Sequence, residues 1–155
     1  MPFGTRPTAT PRRSADVLAR AHGAFNIVGG AWPLVSMRTF EWVFGSKQDK
    51  WLERTVAGLL VSAGWSQTRA SASPAGRAHA RRTGLGTATT LLAIDLFYVP
   101  RGTLRWTYLL DAAMETAWIV AWCRTDAGSA GRRTRERTPS RRGIRGRRRY
   151  SRRAP

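Results

Sequence analysis

The sequence is poor in the residues that mark several common protein classes. It has one cysteine, Cys123, among 155 residues, which excludes an internal disulfide framework and a zinc site built from cysteines alone within one chain. It has no serine–histidine–aspartate order, no glycine-rich phosphate loop and no H-E-x-x-H motif. We therefore predict no cofactor and no metal site, and we favour a non-enzymatic role while leaving enzyme activity open.

Acidic residues and lysine are also scarce. Nine Asp and Glu stand against 27 Lys and Arg, for a formal net charge of +18, and only two of the basic residues are lysines. Such a charge first suggests a nucleic acid or an anionic membrane surface as a partner. The charge is uneven, because residues 124–155 carry 13 arginines and only two acids. This tail is almost free of apolar residues, so we expect it to be disordered.

The composition of the tail separates its two candidate partners. Tyr150 is its only aromatic residue, so bases would find little surface on which to stack. Nucleic acid is therefore the less favoured partner, and the anionic lipids of an inner membrane leaflet are favoured, with about 1 kcal/mol contributed by each basic residue near the surface. The arginines expected to contact lipid include Arg132, Arg133, Arg141, Arg142, Arg147, Arg148 and Arg149.

Four segments with few formal charges lie between the tails. They span residues 21–37, 55–68 (extended backward by Trp51 and Leu52), 83–100 and 106–123. Each is close to the length of a membrane-spanning helix, with aromatic residues near its ends. A soluble four-helix bundle is the alternative, but it should show charged outer faces at a 3.6-residue period. The segments therefore predict an all-α, four-transmembrane-helix bundle over residues 21–123. We expect residues 1–20, with three prolines, and residues 124–155 to be disordered.

The basic residues predict an orientation for such a bundle. Of the 27 Lys and Arg, 21 fall on the side of the two termini in a four-pass arrangement. The positive-inside rule then places both termini in the cytoplasm of a multi-pass protein of the cell membrane.

The segment that joins the first two predicted helices carries a resemblance to a known family. Residues 40–60 read FEWVFGSKQDKWLERTVAGLL, which resembles the motif F-E-x-V-x-G-P-K-x-D-x-W-L-V-x-T-V-G-x-L of an uncharacterised family of small bacterial four-helix integral membrane proteins. The similarity extends over about residues 20–123 and departs from the motif at Ser46 and Glu53. It implies the fold and the membrane location of that family but no reaction.

Carboxylates within the apolar segments are candidates for a site, because charge is costly in an apolar setting. Asp95 lies four residues before the end of the third helix, and Asp111 and Glu115 lie one turn apart near the start of the fourth. We expect these three to converge beneath the segment 38–54. Two interpretations stay open, a structural ion-pair network or an outward-facing polar pocket for a cation, a proton or a small polar ligand. The candidate pocket residues are Glu41, Lys47, Asp49, Asp95, Asp111 and Glu115.

The first helix carries a second polar face. His22 and Asn26 are four residues apart and could serve a ligand or a proton relay. Alternatively, His22 lies at a membrane interface and Asn26 forms a hydrogen bond between helices.

These observations predict a small multi-pass membrane protein without an assigned activity. A transporter or membrane-enzyme subunit that uses the intramembrane carboxylates is one alternative, and a nucleic-acid binder that acts through the tail is another. A homo-oligomer or a second membrane protein is a further candidate partner.

Overall fold

A computed structural model of the chain describes residues 11–137, with side chains described for residues 13–125. Every regular element in this part is an α-helix. The helices are α1 (Pro11–Val35), α2 (Met37–Phe44), α3 (Lys50–Thr68), α4 (Pro74–Tyr98) and α5 (Tyr108–Arg137). Helix α2 is an addition to the four long helices that the sequence predicts.

The prediction of a four-transmembrane-helix bundle is wrong. Among the described residues, no helix combines the length and the apolar character needed to cross a membrane. The same finding overturns the multi-pass cell-membrane location and the assignment of both termini to the cytoplasm. The apolar segments are diluted by glycine, alanine, serine and threonine, and the long helices extend into charged sequence. Helix α4, for example, contains Arg77, Arg81 and Arg82 in its first half.

The helix ends also differ from the predicted segment boundaries. Helix α1 begins at Pro11, inside the segment 1–20 for which the sequence predicts disorder. Proline is compatible with the first turn of a helix, because the backbone nitrogen there needs no hydrogen-bond partner within the helix. Helix α5 continues from residue 124 to Arg137. Residues 1–10 and 138–155 lie outside the described residues, and so do the predicted lipid contacts Arg141, Arg142, Arg147, Arg148 and Arg149. For Arg132 and Arg133 only the helical backbone is described.

The bundle is held by two close helix pairs, α1 with α3 and α4 with α5. Glycines bring α1 and α3 together. A Cβ atom added to Gly30 would lie 2.6 Å from the carbonyl oxygen of Ala57, and one added to Gly64 would lie 2.5 Å from that of Gly23. These distances are shorter than any real Cβ contact, so the two backbones touch where side chains would otherwise separate them.

The distribution of polar and apolar side chains is inverted relative to most domains. The buried apolar residues are mostly alanines, together with Phe40 and Trp122, whereas larger apolar side chains lie on the outside, for example Val35 at 86% and Trp42 at 82% exposure. The buried polar and charged residues are His22, Asn26, Gln67, Asp95 and Glu115. Exposed apolar surface of this extent marks contact with another apolar surface.

The α1–α3 contact yields a matched pair of substitutions. Gly30→Ala should destabilise the fold by about 1–3 kcal/mol because the added methyl group overlaps the α3 backbone. Gly29→Ala should be neutral or stabilising by up to about 1 kcal/mol, because open space surrounds that position and alanine favours helix. Urea unfolding of both variants measures the difference, and equal effects would contradict the close approach.

The exposed apolar surface predicts self-association of the isolated chain. Light scattering coupled to size-exclusion chromatography should show species larger than one chain in detergent-free buffer, because the exposed apolar side chains of α1 and α3, such as Val35 and Leu59, then bury one another. A non-ionic detergent above its critical concentration should reduce these species. A monomer at every concentration in detergent-free buffer would contradict this expectation.

Candidate functional site

An open groove lies at the end of the bundle where α2 meets α3. This outer groove has a volume of about 990 Å³ and is bounded by α2, the segment 45–49, the first two turns of α3 and residues 103–105. Acidic and basic side chains both line the groove, and its apolar lining comes mainly from α2 and α3. The lining residues used below are Glu41, Trp42, Lys47, Asp49, Glu53 and Arg105.

The wall of the groove is fixed by contacts between α2 and the loop that follows α4. The guanidinium of Arg105 donates to the carbonyl oxygen of Trp42 at 3.1 Å, and the hydroxyl of Thr107 donates to that of Val43 at 2.9 Å. The Arg105 side chain crosses Gly45, which has a φ of +89° and would place a Cβ atom 2.8 Å from it. Glycine is required there both for its backbone conformation and for space.

Two of the groove carboxylates play different parts. Glu41 accepts a hydrogen bond from the backbone N–H of Lys47 at 2.9 Å and another from the ammonium of Lys50 at 3.2 Å. These bonds hold the pKa of Glu41 below its ordinary value, first through the Lys47 amide. Asp49 occupies the N-cap position of α3 without a side-chain capping bond. Glu41 is therefore committed to the loop, whereas Asp49 is directed at solvent.

Lys47 connects the groove to the interior. Its side chain is only 15% exposed and forms a 3.8 Å ion pair with Glu53. Its ammonium donates to the hydroxyl of Tyr108 and lies 4.6 Å from the centre of the Tyr108 ring and 5.7 Å from that of Phe40. Burial and then the neighbouring carboxylates, Glu53 first, raise the pKa of Tyr108, so Tyr108 remains protonated.

Beneath Tyr108 lies a group of three carboxyls, Asp95, Asp111 and Glu115, called the carboxyl cluster below. Asp95 is 2% and Glu115 0% exposed. Burial, followed by the charge of Asp111, raises the pKa of Asp95 to about 7, while Lys47 acts in the opposite direction. Burial, followed by Asp111 and Asp95, raises the pKa of Glu115 to about 7, and burial raises the pKa of Asp111. At neutral pH the cluster is therefore partly protonated.

His22 of α1 faces the deep end of the carboxyl cluster. The indole N–H of Trp122 donates to Nδ1 of His22 at 3.1 Å, so the proton of the neutral imidazole resides on Nε2. That nitrogen lies 4.0 Å from Oε2 of Glu115, and Trp118 stacks on the ring at 4.6 Å. Burial lowers the pKa of His22 to about 4, so His22 is neutral near pH 7.

Amide side chains extend the polar interior toward the opposite end. The amide nitrogen of Asn26 lies 3.4 Å from Oε1 of Gln67 and 3.4 Å from the hydroxyl of Thr87. Helix α4 approaches closely because of Gly84, where a Cβ atom would lie 2.5 Å from the amide nitrogen of Gln67 and 2.8 Å from the indole nitrogen of Trp122. The buried polar groups thus form one continuous region inside the bundle.

Several buried polar atoms in the described part of the chain have no hydrogen-bond partner. They are Nε2 of His22, Oδ1 of Asn26, Nε2 of Gln67, Oδ2 of Asp95, both carboxyl oxygens of Glu115 and Nε1 of Trp118. Each such group costs about 1–3 kcal/mol, and native interiors hold few of them. They include both donors, on His22, Gln67 and Trp118, and acceptors, on Asn26, Asp95 and Glu115. No group of three or more His, Cys, Asp or Glu within the described residues is placed to hold a metal ion.

The structure brings together most of the residues that the sequence singles out. The predicted pocket separates into a groove part, with Glu41, Lys47 and Asp49, and the buried carboxyl cluster beneath it. Arg101 and Arg105, the basic residues between Asp95 and Asp111, donate to the carbonyl oxygens of Phe97 and Trp42.

The second interpretation of the polar face on α1 places His22 at a membrane interface and gives Asn26 a hydrogen bond between helices. His22 is completely buried and is not at an interface, whereas Asn26 contacts two other helices as the alternative expects. Sequence reasoning missed Gln67 and Tyr108 as parts of the site. Gln67 has the only amide side chain in α3 and follows Gly64 on the same face of that helix, which is a signal that could have identified it.

A search of protein-family models, of curated proteins and of solved structures finds no match to the chain. The resemblance of residues 40–60 to a family of small membrane proteins therefore stays a prediction from the sequence.

The raised pKa values predict the pH dependence of stability. Between pH 4.5 and 7 the folded protein holds protons on Asp95 and Glu115 that the unfolded chain has released, so the free energy of unfolding falls as pH rises. His22 acts in the opposite direction between pH 4 and 6.5. Because two carboxyls outweigh one imidazole, we expect a net loss of stability from pH 5 to pH 8, on the order of 3 kcal/mol, that is nearly complete by pH 8.

Matched variants assign this pH dependence to the interior. Glu115→Gln should raise the free energy of unfolding at pH 8 and flatten its pH profile, because it removes a buried charge. Asp16→Asn is the control, since Asp16 forms a partly exposed ion pair with Arg77 outside the carboxyl cluster. Denaturant unfolding from pH 5 to 8 measures both, and a stability that rises toward pH 8 would contradict the assignment.

Proposed function

We propose that the protein binds a small organic cation, with an ammonium group and an apolar body, in the outer groove. The observation that carries this proposal is that two groove carboxylates, the exposed Asp49 and the partly exposed Glu53, lie with exposed aromatic surface above the carboxyl cluster. The volume of about 990 Å³ is at the upper end of the range for small-molecule sites.

The state of the charged side chains favours a cation over an anion. Both groove bases are already engaged, Lys47 with Tyr108 and Arg105 with the carbonyl oxygen of Trp42. The 3.8 Å ion pair of Glu53 with Lys47 is longer than a hydrogen bond and leaves its carboxylate free to accept from a ligand. A ligand ammonium would therefore meet acceptors, whereas a ligand carboxylate would have to displace existing bonds.

The apolar part of the groove suits the body of such a ligand. Trp42 is 82% exposed and Leu52 48% exposed, and both line the groove. An exposed indole attracts a cation through its ring face, with a contribution of about 0.5–1 kcal/mol. Burial of Trp42 and Leu52 by an apolar body adds to this attraction.

Three probes with one body and three charges test the proposal. The probes are 2-phenylethylammonium, 2-phenylethanol and 3-phenylpropionate, titrated into the protein at pH 7 and followed by NMR chemical shifts. We expect the ammonium to bind at least about tenfold more tightly than the carboxylate, which corresponds to about 1.4 kcal/mol. Equal binding of all three, or tightest binding of the anion, would sink the proposal.

Variants locate the binding in the groove. Glu53→Gln and Asp49→Asn should each weaken binding of the ammonium by about three- to tenfold, and Asp49→Asn should leave stability unchanged because its side chain makes no capping bond. Asp16→Asn, at the Arg77 ion pair outside the groove, should bind as the wild type does. If Asp16→Asn weakens binding as much as the groove variants do, the ammonium binds elsewhere.

A further inference from the structure

We propose that a cation bound in the outer groove is exchanged for protons held by the carboxyl cluster, with Lys47 as the connection between the two. This inference rests on the proposed function and adds a regulation of the same site by pH. It concerns buried groups that do not line the groove, so it can fail while binding in the groove stands.

The position of Lys47 supplies the connection. Its backbone N–H is held by Glu41 at 2.9 Å, which fixes the residue at the rim of the groove. Its ammonium points inward, to the hydroxyl of Tyr108, and also faces Glu53 at 3.8 Å. On the interior side the same ammonium acts on the charge of Asp95. The positive charge of Lys47 thus acts on both a groove carboxylate, Glu53, and a buried one, Asp95.

The interior side contains unpartnered groups that respond to this charge. Asp95 is 2% exposed and its Oδ2 has no hydrogen-bond partner among the described residues, and the same holds for both oxygens of the fully buried Glu115. The titratable or charged groups that face the cluster come from four elements. They are Tyr108, Asp111 and Glu115 on α5, His22 on α1, Glu53 on α3 and Lys47 in the segment 45–49.

The exchange balances in charge. One organic ammonium enters the groove and up to one proton leaves a carboxyl of the cluster for solvent. The bound ammonium adds a positive charge beside Glu53 and Lys47, and this added charge favours the ionised form of the carboxyls beneath them. Because the pKa values of Asp95 and Glu115 are raised to about 7, protons are available for release at neutral pH.

Calorimetry in two buffers measures the exchange. Binding of 2-phenylethylammonium at pH 7 is recorded in phosphate and in Tris, whose enthalpies of ionisation differ. An aliphatic ammonium stays protonated there, because its pKa is near that of lysine, about 10. We expect release of about 0.3 to 0.5 proton for each cation bound, because a carboxyl with a pKa of about 7 is half protonated at pH 7. Affinity should rise about three- to tenfold from pH 6 to pH 8 by linkage.

Two variants separate this mechanism from simple attraction. Asp95→Asn should still bind the ammonium but release fewer protons, with a flatter pH dependence, whereas Asp16→Asn should match the wild type. An equal binding enthalpy in phosphate and in Tris would show that no proton is released. That result would overturn the exchange and leave the proposed function intact. Absence of binding at pH 6, 7 and 8 would overturn both.

Discussion

The burial of ionisable side chains in the middle of the bundle is the constraint on which the rest of the structure depends. Asp95, Glu115 and His22 lie where most domains place leucine or isoleucine. An unpaired buried charge is costly, so these groups become neutral, and the shifts in their pKa values express that cost. Partly protonated carboxyls and a neutral imidazole therefore share one interior at lower cost than unpaired charges would.

The same constraint explains the geometry of the helices. Small residues let the backbones approach until the polar side chains meet, as at Gly84, which brings α4 against the side chains of Gln67 and Trp122. The bulky apolar side chains are left outside, on α1, α3, α4 and α5. Lys47 is the point where the interior meets the groove, because its ammonium reaches Tyr108 while its backbone belongs to the rim. Lys47 thus links the buried interior to the groove in which we propose that a ligand binds.

Part of this account could be predicted from the sequence. The spacing of Asp111 and Glu115, and the position of Asp95 near the end of its helix, predict the convergence that the structure places around Tyr108. The pairing of α1 with α3 could not be predicted, since it depends on which glycines meet. Gly58, on the same helix as Gly64, faces open space, whereas Gly30 and Gly64 form the contact. The membrane prediction failed because glycine, alanine, serine and threonine keep the mean hydropathy of these segments low even where formal charges are few.

A carboxyl titration of the wild-type protein tests the central claim most directly. Carbon-13 NMR of Asp and Glu side-chain carboxyls from pH 3 to 9 resolves each group in the folded protein. The account predicts that Asp95 and Glu115 titrate near pH 7, well above the ordinary values of about 4. If every carboxyl of the folded protein titrates between about pH 3 and 5, the interior is open to water, and the buried carboxyl cluster does not exist.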